Sequence, residues 1–306
     1  MAITGSGTEQ DPWIVHSYDE IKSCISSIDS SYSYGPYYLE LANDINCNDY
    51  GADFVWETVK HTNSSVKWNF DLKGHTIKNV LIKTGSYLMF QGGTTGGNYN
   101  CYIRNGKILN VFVQDADMFF KSMAFENVSF SGNASMLRTD RCFSGCGFTN
   151  SAIYVESSNL GSSSKRIFDN SPTKIDNSDI MLKIENCDRT GPVFLNRGTN
   201  ETVSCSNSRI RGYITGNATI TSQNSRIITN IIPTNCVIDL VVNGYELSDS
   251  ISTTQAILDS PTTVINDGAI LPWMTVGATI AAPSGEAMRS SSALNALGFT
   301  VIPVTE

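Results

Sequence analysis

A short motif recurs along the middle of the chain. The tetrad Asn-Ser-x-Ile occurs four times, beginning at Asn150, Asn177, Asn207 and Asn224. Apolar residues in related stretches recur at intervals of 31, 22, 18, 32, 30 and 17 residues, at Ile77, Ile108, Phe130, Phe148, Ile180, Ile210 and Ile227. A period of this length that varies between repeats is typical of a solenoid whose coils carry loops of different lengths.

The spacing and the turn residues indicate a parallel β-helix. Short β-rich runs alternate with Gly, Asn and Ser, which is the pattern of strands and turns. One coil cannot bury its inner face alone, so coils stack and each strand pairs with its equivalents above and below. Asparagine tolerates left-handed backbone geometry and can hydrogen-bond its counterpart in the next coil. We therefore predict an all-β, right-handed parallel β-helix. A β-sandwich with Asn-rich turns is the alternative.

Composition excludes several classes of protein. The 306 residues are 41% hydrophobic and only 16% charged, which is too apolar and too weakly charged for intrinsic disorder. The net charge of −8, without a basic run, argues against nucleic acid as a partner. No run approaches the ~18 apolar residues that would indicate a membrane span. The first residues have neither a basic nor an apolar signal region, so Sec-type secretion is not expected.

The cysteines and histidines do not form a recognisable pattern of metal ligands. There are eight cysteines and three histidines, and the closest pair, Cys142 and Cys146, has no second pair beside it. We expect the cysteines to be small buried residues of a protein assembled in a reducing cytosol, and we predict neither a metal nor a cofactor.

Helices are predicted near both ends of the chain. Ser17 can cap a helix over residues 17–28, and Glu20 completes the pattern of a capping box. Its apolar positions recur at helical spacing, at Ile21, Cys24, Ile25 and Ile28. Such a helix can cover the unpaired edge of the first coil. A second helix is expected over residues 284–297, where Gly298 follows as a stop signal.

Three regions are predicted from these signals. Residues 1–55 form an N-terminal cap and the first strands, residues 56–247 form the β-helix, and residues 248–306 form a closing or assembly segment with a short helix and strand. The last segment is apolar and sparsely charged, as a buried subunit interface would be. We expect a homo-oligomer, with a trimer favoured, through contacts of Leu271, Trp273, Met274, Leu294, Leu297 and Phe299.

Several segments resemble known β-helix proteins. Gly5-Ser-Gly-Thr-Glu-Gln-Asp-Pro-Trp, Tyr38-Leu-Glu-Leu-Ala-Asn-Asp-Ile-Asn and Phe70-Asp-Leu-Lys-Gly-His-Thr-Ile-Lys-Asn-Val are similar to the opening of right-handed parallel β-helix chains. Met288-Arg-Ser-Ser-Ser-Ala-Leu-Asn-Ala-Leu-Gly-Phe-Thr-Val resembles the ending of bacteriophage structural proteins. Together the segments resemble bacteriophage tailspike, tail-fibre and head-decoration components.

The resemblance implies a non-enzymatic structural protein of the virion, assembled in the cytoplasm of a bacterial host. Its partners would be other virion proteins and host cell-surface polysaccharide. The main alternative is a polysaccharide lyase or glycoside hydrolase that acts in a groove of the β-helix. A bacterial surface adhesin is the second alternative.

Candidate site residues follow from these hypotheses. Glycoside cleavage uses two carboxylates, and Asp115 and Asp117 would share a face if they lay on a strand. They are candidates only if the chain is an enzyme, because solvated acids on turns and outer faces are the favoured interpretation.

Aromatic residues suggest a second kind of site. Sugars stack on exposed aromatic rings, so a glycan-binding platform is predicted at Tyr32, Tyr34, Tyr37, Trp56 and Trp68. Alternatively, these rings seal the junction between the cap and the first coil.

Overall fold

The computed structural model describes residues 3–28, 36–83, 89–95, 98–115, 118–136, 141–158, 166–169, 173–185, 203–220, 228–234, 237–247, 264–265 and 274–276. They include one α-helix, α1 (Tyr18–Ser27), and a 3-10 helix, Cys47–Tyr50. The strands are β1 (Trp13–Val15), β2 (Tyr37–Leu41), β3 (Ile45–Asn46), β4 (Val59–Lys60), β5 (Trp68–Asp71), β6 (Thr76–Lys83), β7 (Phe90–Gln91), β8 (Thr94–Thr95), β9 (Asn98–Tyr99), β10 (Cys101–Gln114), β11 (Phe120–Lys121), β12 (Ala124–Met136), β13 (Arg141–Ser144), β14 (Gly147–Thr149), β15 (Ala152–Ser157), β16 (Arg166–Asp169), β17 (Thr173–Asp176), β18 (Asp179–Ile184), β19 (Val203–Ser206), β20 (Arg209–Ile220), β21 (Ile228–Thr234), β22 (Val237–Leu247), β23 (Val264–Ile265) and β24 (Met274–Val276).

Apart from β8 and β9, which pair with each other antiparallel, the described strands form three parallel stacks. The first stack contains β1, β2, β5, the first halves of β10 and β12, β14, β17, β19, β21 and β24. The second contains β3, β6, the second halves of β10 and β12, β15, β18, β20, β22 and β23. The third contains β4, β7, β11, β13 and β16. Each of five successive coils, from β2 to β16, contributes to all three stacks. The predicted all-β parallel solenoid is therefore confirmed, while its right-handedness stays a prediction.

Inward side chains of equivalent register form the core. In the first stack the column is Leu39, Phe70, Ile103, Phe125, Phe148, Ile175 and Cys205, each at most 1% exposed. In the second stack the buried column is Ile45, Ile77, Ile108, Phe130, Ile153, Ile180 and Ile210. Burying each such side chain stabilises the fold by about 1.5–3 kcal/mol. The backbone register continues from Ile210 to Ile238 and Ile265.

These columns correct one part of the predicted repeat. Phe148 belongs to the first stack, and Ile153 is the residue of its coil that lies in register with Phe130. Ile227 and Asn224 lie outside the described residues, and the position predicted for Ile227 is held by Ile238.

The third stack is built from phenylalanine. Phe90, Phe120, Phe143 and Phe168 are in register on consecutive coils. Their rings lie nearly parallel, with centroids 6.4, 6.0 and 5.4 Å apart. Stacking of this kind adds about 0.5–1.5 kcal/mol per pair beyond the area that is buried.

The predicted asparagine turn joins the first stack to the second. Asn150, Asn177 and Asn207 have φ between 45° and 49°, and the equivalent Asn127 has φ of 55°. The Asn177 amide donates to Asn150 Oδ1 at 2.6 Å. Asn207 instead donates to Asp176 Oδ1, at 3.4 Å. The turns therefore use the left-handed conformation and the coil-to-coil bonding that the tetrads predicted, with one rung bonded to a carboxylate.

The serine of the tetrad forms a second ladder beside these amides. The Ser178 hydroxyl donates to the Asp176 carbonyl at 2.8 Å and accepts the Ser151 N–H at 3.1 Å. Ser208 repeats the pattern and accepts the Ser178 N–H at 3.0 Å. All three serines are buried. The hydroxyls therefore satisfy backbone donors that the turn leaves without a strand partner.

Helix α1 begins as predicted. The Ser17 side chain accepts the Glu20 N–H at 3.2 Å. The Glu20 carboxylate accepts the N–H of His16, one residue before the cap, at 2.7 Å. The helix packs against β1 and against β4, the end strand of the third stack. Its four predicted apolar residues are buried. That the helix covers the end of the solenoid stays a prediction.

The described cysteines are free and buried, as expected: Cys24, Cys47, Cys101, Cys142, Cys146 and Cys205. Burial raises the pKa of Cys47, Cys101 and Cys146 to about 12. Cys187 and Cys236 lie outside the described residues. No helix in the described part of the chain is long and apolar enough to span a membrane.

Candidate functional site

A groove of about 220 Å³ lies on the outer face of the second stack. Its walls come from three consecutive coils, through β10, β12 and β15. The residues that line it are Asn110, Val111, Phe112, Ser131, Gly132, Asn133, Tyr154 and Glu156. Because these strands stack along the solenoid, the groove crosses coils.

The groove lies where an asparagine ladder ends. Asn79 donates to Asn46 Oδ1 at 2.8 Å, and Asn110 donates to Asn79 Oδ1 at 3.2 Å. Asn79 and Asn110 have φ of 58° and 55° and bend β6 and β10 in the same way. The next coil lacks this bend, since Leu109 and Asn110 together face Ser131 alone. Ser131 takes the place of a further asparagine, and its hydroxyl accepts the backbone N–H of Asn110 at 2.9 Å.

Aromatic and polar side chains share this face. Phe112 is 38% exposed, which makes it one of three large apolar side chains exposed among the described residues. The half-buried Tyr154 donates its hydroxyl to Glu156 Oε2 at 2.8 Å. Lys183 Nζ lies 4.0 Å from the same carboxylate. The face therefore offers two rings together with amide, hydroxyl and carboxylate groups.

This chemistry suits binding of a polar molecule that also has apolar faces. Glycosidases of either stereochemistry place two carboxyl groups about 5 to 9.5 Å apart across the substrate. Glu156 is the one carboxylate among the described residues that line the groove. Within the same described residues, no group of three or more His, Cys, Asp or Glu could hold a metal ion.

The predicted catalytic pair is not formed on a strand. Asp115 follows the end of β10 and has φ of 58°, so it lies in a turn with an exposed side chain. The expectation that i and i+2 carboxylates share a strand face therefore does not apply to it. Asp117 lies outside the described residues.

The predicted glycan-binding platform is corrected for two of its residues. Trp56 and Trp68 are 0% and 1% exposed, so neither ring can meet a ligand in solution. Trp56 contacts Tyr18 of α1 and donates to the Met89 carbonyl at 3.1 Å. This is the alternative role, in which the ring joins the helix to the first coils.

Three further residues of that platform have different outcomes. Tyr37 is half-buried and its ring stacks on Trp13 with centroids 5.6 Å apart. Tyr32 and Tyr34 lie outside the described residues.

The predicted interface also lies almost wholly outside the described residues. Met274 begins β24, whose backbone pairs with β21. The other five residues, Leu271, Trp273, Leu294, Leu297 and Phe299, fall outside the described ranges.

Sequence reasoning missed Phe112, Tyr154 and Glu156. Ile-x-Asn-Val occurs twice, at residues 77–80 and 108–111, and signals the second asparagine ladder. Alternation in Ala152-Ile-Tyr-Val-Glu places Tyr154 and Glu156 on one outward face. Each pattern indicates the residues on one side of the groove. The register between coils, which neither pattern specifies, brings the two sides together.

A buried charge cluster lies further along the same stack. Asp179 is 2% exposed and accepts hydrogen bonds from Arg209 at 2.6 and 3.1 Å and from Arg211 at 3.1 Å. Both oxygens of this carboxylate are therefore committed to structural pairing.

Comparison with known proteins supports the fold. The chain matches no protein-family model, and no curated protein is significantly similar to it. Among solved structures it is similar to a protein from Bacteroides ovatus proposed to be an immunoglobulin A1 protease, with a TM-score of 0.54 and 14% identity. The match covers 95% of this chain and 89% of the other. At this level of identity the likeness shows a shared fold alone.

Proposed function

We propose that this protein is a non-enzymatic structural component of a bacteriophage particle, a solenoid spike, fibre or decoration protein of the capsid or tail that touches host surface glycans. The observation that carries the proposal is the groove beside Phe112 and Tyr154, which combines aromatic and polar groups around a single described carboxylate. A binding surface needs such groups, whereas hydrolysis needs a second carboxylate.

The construction of the solenoid supports a structural role. Amide and hydroxyl side chains bond from coil to coil, as in the pairs Asn177–Asn150 and Ser178–Ser208. The most deeply buried carboxylate described, that of Asp179, is held by two arginines. Polar groups are thus used to tie neighbouring coils together, which supports a structural role for the solenoid.

The virion assignment follows from the resemblance of the chain's opening and closing segments to phage components. Assembly would place the protein with other virion proteins, as a homo-oligomer with a trimer favoured, through residues 248–306. The host cytoplasm would be the site of assembly.

Two measurements test this proposal. Particles purified from a lysate of the producing host would be analysed by mass spectrometry and labelled with antibody for electron microscopy. The protein should be found in intact particles at constant stoichiometry, and light scattering should give a trimer. Its absence from particles, or a stable monomer, would contradict the virion role or the interface assignment, respectively.

A further inference from the structure

The asparagine ladder of the second stack ends with an open acceptor in the groove. Each amide oxygen of the ladder accepts from the next coil: Asn46 Oδ1 from Asn79, and Asn79 Oδ1 from Asn110. Among the described residues, no donor binds Asn110 Oδ1. The next coil places Ser131 there, and its hydroxyl oxygen accepts the backbone N–H of Asn110. A ligand hydroxyl can therefore donate to Asn110 Oδ1 where a further rung would have been.

Two aromatic rings line the groove together with this acceptor. Phe112 lies two residues from Asn110 on the same strand, and Tyr154 lies two coils further along. Two coils correspond to about 10 Å along the solenoid, at about 4.8 Å per strand spacing. A ligand that contacts both rings must therefore extend along the axis, as a short oligosaccharide does and a single sugar ring does not.

The charge of the groove selects among sugars. Glu156 is the one carboxylate of the described lining, and its Oε2 already accepts the Tyr154 hydroxyl. Lys183 Nζ, 4.0 Å away, partly balances its charge. An acidic sugar would bring a second negative charge beside Glu156, whereas a neutral sugar would meet hydroxyl and amide partners without repulsion.

We propose that this groove binds a neutral oligosaccharide, laid along the solenoid axis with its apolar sugar faces on Phe112 and Tyr154 and one hydroxyl donating to Asn110 Oδ1. The proposal rests on the contact with host glycans proposed above and names the class of glycan and the residues that hold it.

The test is isothermal titration calorimetry of the full chain with maltohexaose, cellohexaose and mannohexaose, and with hexagalacturonate as the acidic probe. The informative variants are Phe112→Ala and Asn110→Gly, because glycine keeps the left-handed backbone while removing the amide. Each should weaken binding of a neutral hexasaccharide by about tenfold or more, the factor that corresponds to about 1.4 kcal/mol.

Matched controls separate binding from folding. Asn105→Gly makes the same substitution in the same coil, at the same φ of 55°, in a turn outside the groove. Ile3→Ala removes an apolar side chain that is 37% exposed, close to the 38% of Phe112. Both controls should bind like the wild type. Tyr154→Phe keeps the ring and should retain most of the affinity.

Several results would overturn the inference. The first is that no neutral hexasaccharide binds. The second is that hexagalacturonate binds more tightly than the neutral hexasaccharides. The third is that the Phe112→Ala and Asn110→Gly variants bind with the same affinity as their controls. A change of oligomeric state in Phe112→Ala, seen by light scattering, would instead identify the face as a subunit interface. A protein found in virions that binds no neutral sugar would refute this inference and leave the virion role standing.

Discussion

Substitution of Asn177 tests whether the tetrads are left-handed turns tied from coil to coil. The residue has φ of 45°, and its amide donates to Asn150 Oδ1 at 2.6 Å. Asn177→Ala removes this bond, which costs about 1 kcal/mol, and forces a Cβ residue with no local polar compensation into a conformation that costs about 1–2 kcal/mol. Asn177→Gly removes only the bond. We expect losses of about 2–3 kcal/mol for alanine and about 1 kcal/mol for glycine.

The decisive observation is which of the two variants is more stable to unfolding. Equilibrium urea unfolding, followed by circular dichroism, should give Asn177→Gly a higher midpoint than Asn177→Ala. Lys174, exposed on β17 of the same coil, provides the matched control. There the order should reverse, because glycine in an ordinary strand is about 0.5–1 kcal/mol less stable than alanine. If alanine is tolerated as well as glycine at position 177, the account of the turn is wrong.

Three further predictions concern packing, charge and pH. A Cβ at Gly147 would lie 2.6 Å from the Tyr99 ring, so Gly147→Ala should lower the free energy of unfolding by about 1–3 kcal/mol. In thermal unfolding, the double variant with Tyr99→Ala should lose less stability than the sum of the two single variants. Asp179→Asn leaves Arg209 buried without its carboxylate and should lower the free energy of unfolding by about 3–5 kcal/mol in urea titrations. An unchanged unfolding midpoint would show that this ion pair does not stabilise the fold. Burial raises the pKa of Cys47 from 9.0 to about 12, so the folded state holds this proton more tightly than the unfolded state does. The resulting stability is fully present below pH 9 and is lost between pH 9 and about 12, which unfolding midpoints across that range and in Cys47→Ala would check.

The turns were predictable because their cause is local. Each turn needs a residue in the left-handed conformation, followed by a serine whose hydroxyl donates to the carbonyl two positions back. Both features come from adjacent residues, as in Asn150-Ser151 and Asn177-Ser178. The strand columns were harder to assign. Phe148 and Ile153 flank one turn, and both point inward, so spacing alone could not decide which of them belongs to which stack.

The groove could not be predicted from local patterns. It depends on a change of register between the neighbouring coils of β10 and β12, where the facing residues Asn110 and Ser131 are 21 positions apart in the chain. The sequence also could not predict which large aromatic rings are exposed, because tryptophan occurs both in cores and at binding surfaces. Trp56 packs under α1 and is fully buried, whereas Phe112, which no motif marked, is exposed.

The most direct test of the central claim is to incubate the protein with purified surface polysaccharide of the host, measuring retention of the protein together with release of reducing ends and unsaturated products. A non-enzymatic glycan-binding component should be retained while product stays at the level of the protein-free control. Product that accumulates with time, and that is lost in Glu156→Gln or Asp115→Asn, would show a polysaccharide-degrading enzyme and contradict the account.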